Sequence, residues 1–440
     1  MAQLIINQDA TLRNYLEAFR SIFSAPQWKY FETILMGLLH CDGSKTLSGM
    51  LRQVAVVVTM SGLSRFLISP AWSVAALEQV RYRQFQAQVQ PLVLQAHSDQ
   101  KDKRARRRGR PQPTVVTGYL IMDDSTHAKR YYQKAESGLG RHYSSTERKT
   151  VNGHSLFQAV YVVEEHQYPL TPVMYCQKSV CQQNHEAFFS KVDLAVQTVE
   201  AFEPLPDTHT HVLVDSWYLN KWLWKAVRKR HWDLTGGLKC NRPIRLEDSQ
   251  GIVTWPTVSE YADSLTGEDF QAVIWPNHNG GQTIYAHLLR TRVKKLGVCQ
   301  VLIIREKQND PNSSTRFFAT TRLKGTLEQV VDAAAKRWTV ETLFADFKEL
   351  MGSDQYQLHS AEGIRRFWAL GLCLYKYLDS LRHRLQRLEN HHISLGEARA
   401  WVITRHEDRQ LDWICHLAKQ GVKPAIIKQA LSPAFSLSNC

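Results

Sequence analysis

Cysteine is scarce and unpatterned: eight residues in 440, no Cys-x2-Cys, and a closest pair, Cys176 and Cys181, without neighbouring Cys or His at zinc-site spacing. This excludes a disulfide-stapled or zinc-ribbon design and points to reduced thiols in a cytosolic protein. Nowhere do 18 uninterrupted apolar residues occur, and the stretch from Met1 to Phe19 has no basic segment leading into an apolar one. Neither a transmembrane helix nor an export signal is expected. Acid is also in short supply: 41 Asp plus Glu face 55 Lys plus Arg, for a net charge of +14. That excess favours a polyanionic partner, most simply nucleic acid.

What is present divides the chain by composition. Residues 1–96 read as helical, with apolar residues at three-to-four spacing in Leu12 to Phe23 and Trp28 to Leu39. Two short segments, Thr46 to Val58 and Ser61 to Leu67, weakly suggest a helix-turn-helix, and a helical pair that only packs is the more common use of such a pattern. Residues 97–113 form a basic linker almost without apolar side chains. Within it Arg108-Gly109-Arg110-Pro111 is similar to the core of an AT-hook, whose arginines enter a narrow A·T minor groove; a non-specific phosphate-binding linker is the competing reading. From 114 the period changes to two. Val115 to Met122 predicts a strand ending in Asp123-Asp124, and further strands are expected in Gly153 to Val163 and Leu170 to Tyr175, then a helix after Asn184. Thr210 to Val214 predicts a second buried strand ending in Asp215, followed by a helix rich in Trp and Lys from Asn220 to Arg230. Strand and turn dominate to about 321, with a turn at Asn309 to Ser314, and helices follow over 326–352, 360–383 and 396–431. Thr326 with Gln329 fits a capping box, and Gly352 a helix stop.

The segment Arg337 to Lys348 carries a cation, carboxylate, cation stripe. If helical at about 100° per residue, Arg337, Glu341, Phe344 and Lys348 lie within roughly 60° of one another, beside an apolar face. Alone this is a solvated ion-pair row. Three separated acids change its meaning: Asp123 or Asp124, Asp215 and Glu341 can converge at the edge of a sheet. Phosphodiester cleavage needs charge neutralised on a pentavalent phosphate and a deprotonated water, and two Mg²⁺ ions about 4 Å apart, held by carboxylates, supply both.

On these residues the chain resembles bacterial insertion-sequence transposases of the DDE type, of the insertion sequence four branch, whose helix carries Tyr-x2-Arg-x3-Glu-x6-Lys. Arg337, Glu341 and Lys348 match three of the four residues at both spacings, and Ala334 stands where the Tyr would be. Met122 to Thr126 and Val214 to Trp217 are similar to the two Asp-bearing strand ends, with Asp123 and Asp124 both open as the first acid. The 126 residues from Asp215 to Glu341 are long enough for the family's β-rich insertion. The resemblance implies an α/β fold: a ribonuclease-H-like mixed-sheet catalytic core over 114–383 with an insertion at about 236–325, after a helical domain and before C-terminal helices at 384–440. It implies a transposase that binds terminal inverted repeats of double-stranded DNA, cuts with two Mg²⁺ ions (Mn²⁺ able to substitute) held by Asp123, Asp215 and Glu341, and joins the 3′-OH to target DNA. Arg337 and Lys348 would grip end phosphates, the chain would act as a homodimer or larger synaptic complex, and its place would be a bacterial cytoplasm, at the nucleoid. The alternatives are a transposase-derived DNA-binding protein without chemistry, or a nuclease that never joins strands.

Other groups carry two readings each. Trp217, Trp222 and Trp224 with Lys221, Lys225, Arg228, Lys229 and Arg230 suit either a DNA track or a core with a solvated face. Trp275 and Tyr285 are stacking candidates or buried rings, and His127, His154 and His211 proton shuttles or structural histidines.

Overall fold

The computed structural model describes residues 3–4, 10–55, 58–69, 72–105, 116–129, 138–144, 147–276, 280–309 and 315–432. A short strand β1 (Gln3–Leu4) precedes α1 (Ala10–Glu17), α2 (Ala25–His40), α3 (Leu47–Leu51), β2 (Val54–Ala55), α4 (Met60–Ile68) and α5 (Val74–Ala105). The sheet region follows: β3 (Val116–Ala128), β4 (Gly140–Ser144), β5 (Lys149–Val163), β6 (His166–Pro169), β7 (Val173–Tyr175), α6 (Lys178–Gln183), α7 (Lys191–Ala201), β8 (Thr208–Val214), α8 (Lys221–Lys229) and β9 (Asp233–Gly237). Next come β10 (Leu246–Glu247), β11 (Val253–Thr254), α9 (Val258–Ser264), β12 (Gln271–Trp275), β13 (Gln282–Val293), β14 (Gly297–Arg305) and β15 (Arg316–Thr320). The chain ends in α10 (Leu327–Lys336), α11 (Thr339–Glu349), α12 (Ala361–Glu389), α13 (Leu395–Lys419) and α14 (Pro424–Ala430).

Eleven strands form one mixed sheet in the order β12-β13-β14-β15-β9-β8-β3-β5-β4, with β6 and β7 also on β5. Strands β3, β8 and β9 are parallel neighbours, and β5 runs antiparallel to β3. The parallel steps are crossed by α7 and α8, because strands running the same way need a connection long enough to return. This is the ribonuclease-H-like α/β arrangement that the resemblance implies. The β-rich segment after β9 does not stand apart: β15 pairs antiparallel with β9, Phe318 opposite Gly237 and Thr320 opposite Thr235, so the insertion prolongs the central sheet. Gly236 and Gly237 permit the close approach of β9 to β8; a Cβ on Gly236 would meet the Val214 side chain at 2.9 Å, and one on Gly237 the Ser216 nitrogen at 2.9 Å.

The two faces of the sheet bury different partners. Ile121 and Leu213 pack with Val340, Leu343, Phe347 and Trp368, in a core shared with Leu12, Phe19 and Phe31 of the first helices. Leu120, Met122, Val212 and Val214 lie on the other side with Phe85, Leu194 and Trp224. Successive residues of a strand point to opposite faces, so odd-numbered positions of β3 and β8 look toward α11 and even-numbered ones toward α7 and α8.

Several expectations are corrected here. The single helix over 326–352 is two, α10 and α11, divided at Arg337-Trp338, where Trp338 N–H donates to the Ala335 carbonyl (3.0 Å) and Glu341 N–H to the Trp338 carbonyl (3.0 Å), both three residues back. Trp338, Thr339 and Val340 are bulky or β-branched at consecutive positions, which favours this tightened turn. The capping box of Thr326 with Gln329 is present. The helix placed after Asn184 begins only at Lys191, where Ser190 and Asp193 form a capping box. Residues 97–105, assigned to the linker, continue α5: its anchored turns propagate through good helix formers, and His97 reaches the Asp207 carbonyl at 2.8 Å. Arg108, Arg110 and the turn at 310–314 lie outside the described residues. α3 and α4 are separated by residues 52–59, which include β2, so no three-to-four-residue turn joins them. Among the described residues no helix is long and apolar enough to cross a membrane.

The interior holds neutral histidines. Burial is the main cause that lowers His40, His166 and His211 to about 3, His142 to about 4, and His127 well below its ordinary value. Below about pH 6.5 the unfolded chain protonates these rings while the folded chain does not, so unfolding takes up protons and stability falls on acidification. Burial raises Asp123 to about 7 and Asp346 to about 6, which works in the opposite direction, because their stability is lost as pH rises through those values. Burial also raises Glu32, Asp215 and Asp332, by smaller amounts, and between pH 5 and 7 the uptake by the five rings outweighs these releases. The urea midpoint in EDTA should therefore be lower at pH 5 than at pH 7, and an unchanged or higher midpoint would contradict the balance.

Candidate active site

Asp123 and Asp215 come one position beyond Met122 and Val214, the last pair of the parallel β3–β8 ladder; β8 ends there, but β3, expected to end at Asp123-Asp124, runs on to Ala128 because β5 keeps pairing with it. Ligand sites in open sheets form at the carboxyl ends of parallel strands. Both are odd-numbered and share the face of Ile121 and Leu213, onto which α11 packs through Val340, Leu343 and Phe347. Glu341 lies on that helix, and the fourth participant, Arg337, joins the set: its guanidinium is 3.4 Å from Asp123 Oδ2 and 2.7 Å from Glu341 Oε1. Arg337 therefore bridges Asp123 and Glu341, and Asp215 lies near enough to interact by charge with both Asp123 and Arg337.

Local bonding orients the acids. Asp215 Oδ1 accepts from the backbone N–H of Trp217 (2.9 Å) and Tyr218 (3.2 Å), an Asx turn that leaves its other oxygen uncommitted by these bonds. Asp123 Oδ1 accepts from the Asp124 N–H at 2.9 Å. Burial, and then the charge of Asp215, push the Asp123 carboxyl up to about 7, against the pull of the Asp124 N–H and Arg337. Burial also raises Asp215, against the N–H groups of Tyr218 and Trp217 and the charge of Arg337. Two half-buried carboxylates that repel each other, with the Arg337 charge beside them, hold less positive charge than they need.

Asp124 is elsewhere. Its even position turns it to the other face, where Tyr218 Oη donates to Oδ1 at 2.7 Å and the Lys191 ammonium pairs with Oδ2. Lys191 and Tyr218 were not legible as partners, since nothing in their local sequence distinguishes them. Lys348 lies along β3 with its ammonium 3.5 Å from the Thr126 carbonyl, and burial lowers its pKa. It does not pair with Glu341, whereas Arg337 does. Ala334, at the position of the family tyrosine, is 4% exposed and packed with Val330 and Val331 against the insertion, so this position is core.

The remaining candidates fall into packing roles or onto the surface. His154 Nδ1 is 2.8 Å from Tyr356 Oη, His211 Nε2 is 2.8 Å from Thr235 Oγ1, and His127 Nε2 is 3.5 Å from Ser353 Oγ. Trp275 lies half-buried against Phe318 with the Arg316 guanidinium over its ring, and Tyr285 is half-buried in the insertion. Trp224 is core, but Trp217 and Trp222 are exposed. His166, Asp379 and His383 form a further group with metal-ligand spacing. Its one carboxylate is already neutralised by Lys376 (3.1 Å) and Arg382 (2.9 Å), so it is an ion-pair network.

The carboxylates offer only hard oxygen donors, the choice of Mg²⁺ and Mn²⁺. The crowding that raises Asp123 is what a divalent cation relieves, and the set fits such ions on that ground.

Residues 190–376 match the family described as Transposase DDE domain, a span that holds Asp215, Arg337, Glu341 and Lys348 and leaves out Asp123. No curated protein matches the chain. The match supports a nuclease of the transposase type, a class that acts on DNA and generally uses divalent metal ions.

Proposed function

We propose that this chain is a DNA transposase of the insertion sequence four type, cutting at the ends of its element and joining the freed 3′-OH to target DNA. The observation that carries the reading is the meeting of Asp123, Asp215 and Glu341 on one face of the sheet around Arg337. Asp123, Asp215 and Glu341 hold two divalent ions, Mg²⁺ with Mn²⁺ as a substitute. When bound, these neutralise the phosphate and lower the pKa of the attacking water.

The protein's own residues do the rest. In the metal-free chain Arg337 keeps Asp123 and Glu341 together against the repulsion of the acids. With those acids neutralised, its planar fork is free to hold a phosphate of the DNA end in two bonds. Lys348, half-buried beside β3, adds a point charge for the same strand. Asp124, tied to Lys191 and Tyr218, supports the strand end and binds no metal. Residues 114–383 carry the chemistry, and the helical segment that runs to Ala105, the basic stretch 106–113 with Arg108 and Arg110, and the helices of 384–440 recognise the terminal repeats and bring two ends together in a dimer or larger complex.

The test uses the purified full-length protein and the DNA bordering its gene. Expected is Mg²⁺-dependent cutting at one phosphodiester at each end, then joining of the 3′-OH to a plasmid. Cutting without joining, even with pre-cut ends, would leave a nuclease. Binding without cutting in both Mg²⁺ and Mn²⁺ would leave a DNA-binding protein that keeps the fold but not the chemistry.

A further inference from the structure

Two of the three tryptophans that follow Asp215 stand in water: Trp217 is 63% and Trp222 60% exposed, whereas Trp224 is 3% exposed. A tryptophan ring has roughly 150–250 Å² to bury, so an exposed pair calls for an occupant. α8 accounts for the split. Leu223, Trp224, Ala226 and Val227 are its buried side, and Lys221, Trp222, Lys225, Arg228 and Lys229 its outer side.

The outer side is built of one charge sign. Lys221, Lys225 and Lys229 follow one another at four-residue steps, an arrangement that destabilises a helix by mutual repulsion. Solubility alone would be served better by alternating Lys and Glu. Across a groove of about 420 Å³ stands Lys295, on the turn between β13 and β14. Among the described residues none of these lysines, nor Arg228 or Lys239, forms an ion pair with a carboxylate. The cations gather at the rings instead: the Lys221 ammonium is 4.5 Å and that of Lys225 5.8 Å from the centre of Trp222, and that of Lys239 is 5.4 Å from the centre of Trp217.

This face is continuous with the acid cluster. The Trp217 N–H donates to Asp215 Oδ1 at 2.9 Å, so the first exposed ring begins two residues from a carboxylate of the site. A row of cations could serve any DNA, because phosphates lie on the outside of duplex and single strand alike. The rings distinguish the two: a duplex keeps its bases stacked on one another, and only an unpaired strand offers base faces.

We propose that the Trp217 and α8 face is the track of an unpaired DNA strand leaving the acid cluster, with bases stacked on Trp217 and Trp222 and phosphates against Lys221, Lys225, Lys229 and Lys295. The proposal rests on the reading of that cluster as a DNA-cutting centre.

The test is fluorescence anisotropy of the full-length protein in EDTA, with labelled oligo(dT) of about 20 nucleotides and a mixed-sequence duplex of about the same length, a span of a few stacking sites. The double variant W217A/W222A should lose about 100-fold in affinity for the single strand, about tenfold per ring, with duplex affinity within about threefold. W217F/W222F, which keeps a stacking face, should restore most of it. K225A/K229A should weaken both probes and reduce the single-strand log-log salt slope by about 1.4, because two phosphates are no longer neutralised by lysine. Single-strand affinity that ignores the rings, falls in step with the duplex, or keeps its salt slope without the lysines would overturn the track. Protein that cuts element ends normally while oligo(dT) ignores the rings would sink the track alone. Ring-dependent oligo(dT) binding by protein that never cuts DNA would refute the cutting centre and leave the surface.

Discussion

Asp123→Asn is expected to lower DNA cleavage by about 10³-fold or more, and Asp124→Asn to leave it within about tenfold. An amide at Asp123 removes an anionic oxygen where cations must bind, a loss of several kcal/mol of stabilisation for the charge that develops in the transition state. The neighbour tests the geometry. Asp124 is adjacent in sequence but on the opposite face, committed to Tyr218 and Lys191; both side chains of its ion pair are only about one-fifth exposed, so Asp124→Asn is expected to cost stability while sparing the metal-holding face. The measurement is single-turnover cutting of labelled element ends in Mg²⁺, with unfolding checked in parallel. Equal losses at the two positions would show that the strand end does not divide its acids between faces.

Asp379→Asn is expected to destabilise the fold by about 3–5 kcal/mol, the range for removing one partner of a buried ion pair. Asp379 is fully buried in α12, with Lys376 1% exposed beside it. Burial alone would raise this carboxyl, but Lys376, His383 and Arg382 outweigh it and hold the group well below the usual carboxylate range. The Gln167 N–H also donates to it, at 3.4 Å, so the network ties α12 to β6. Asparagine would strand two cations in the interior. Urea unfolding followed by tryptophan emission gives the loss, and D379N/K376M should recover part of it, because removing both charges costs less than orphaning one. Because the depressed carboxylate contributes stability only above its unfolded pKa, the gap between wild type and variant should narrow as pH falls through about 4. A variant as stable as the wild type would mean that Lys376 finds another partner or loses its proton.

Local chemistry made much of the fold readable. The apolar runs before Asp123 and Asp215 became the adjacent parallel strands β3 and β8, since near-continuous apolar runs bury both faces of a central strand. The capping box at Thr326 starts α10. α9 carries the same signal, Thr257 with Glu260, inside a segment expected to be strand and turn. The continuation of α5 past His97 was not readable from a basic, polar composition, because the helix is nucleated by buried turns upstream.

For the candidate site, the sequence by itself determined the acid types, the spacing of Arg337, Glu341 and Lys348, and the apolar strands that lead into two of the acids, although β3 runs past Asp123 to Ala128. Only the tertiary structure decided which of two adjacent aspartates faces the helix, because alternation divides Asp123 from Asp124 and the burial of Ile121 and Leu213 under α11 says which half looks at Glu341. It also decided that Arg337 stands between Asp123 and Glu341, that Ala334 is core, and that Trp222 points to water where Trp224 does not. Each of these depends on which surface packs against which, and a one-dimensional pattern carries the period of a face but not its partner.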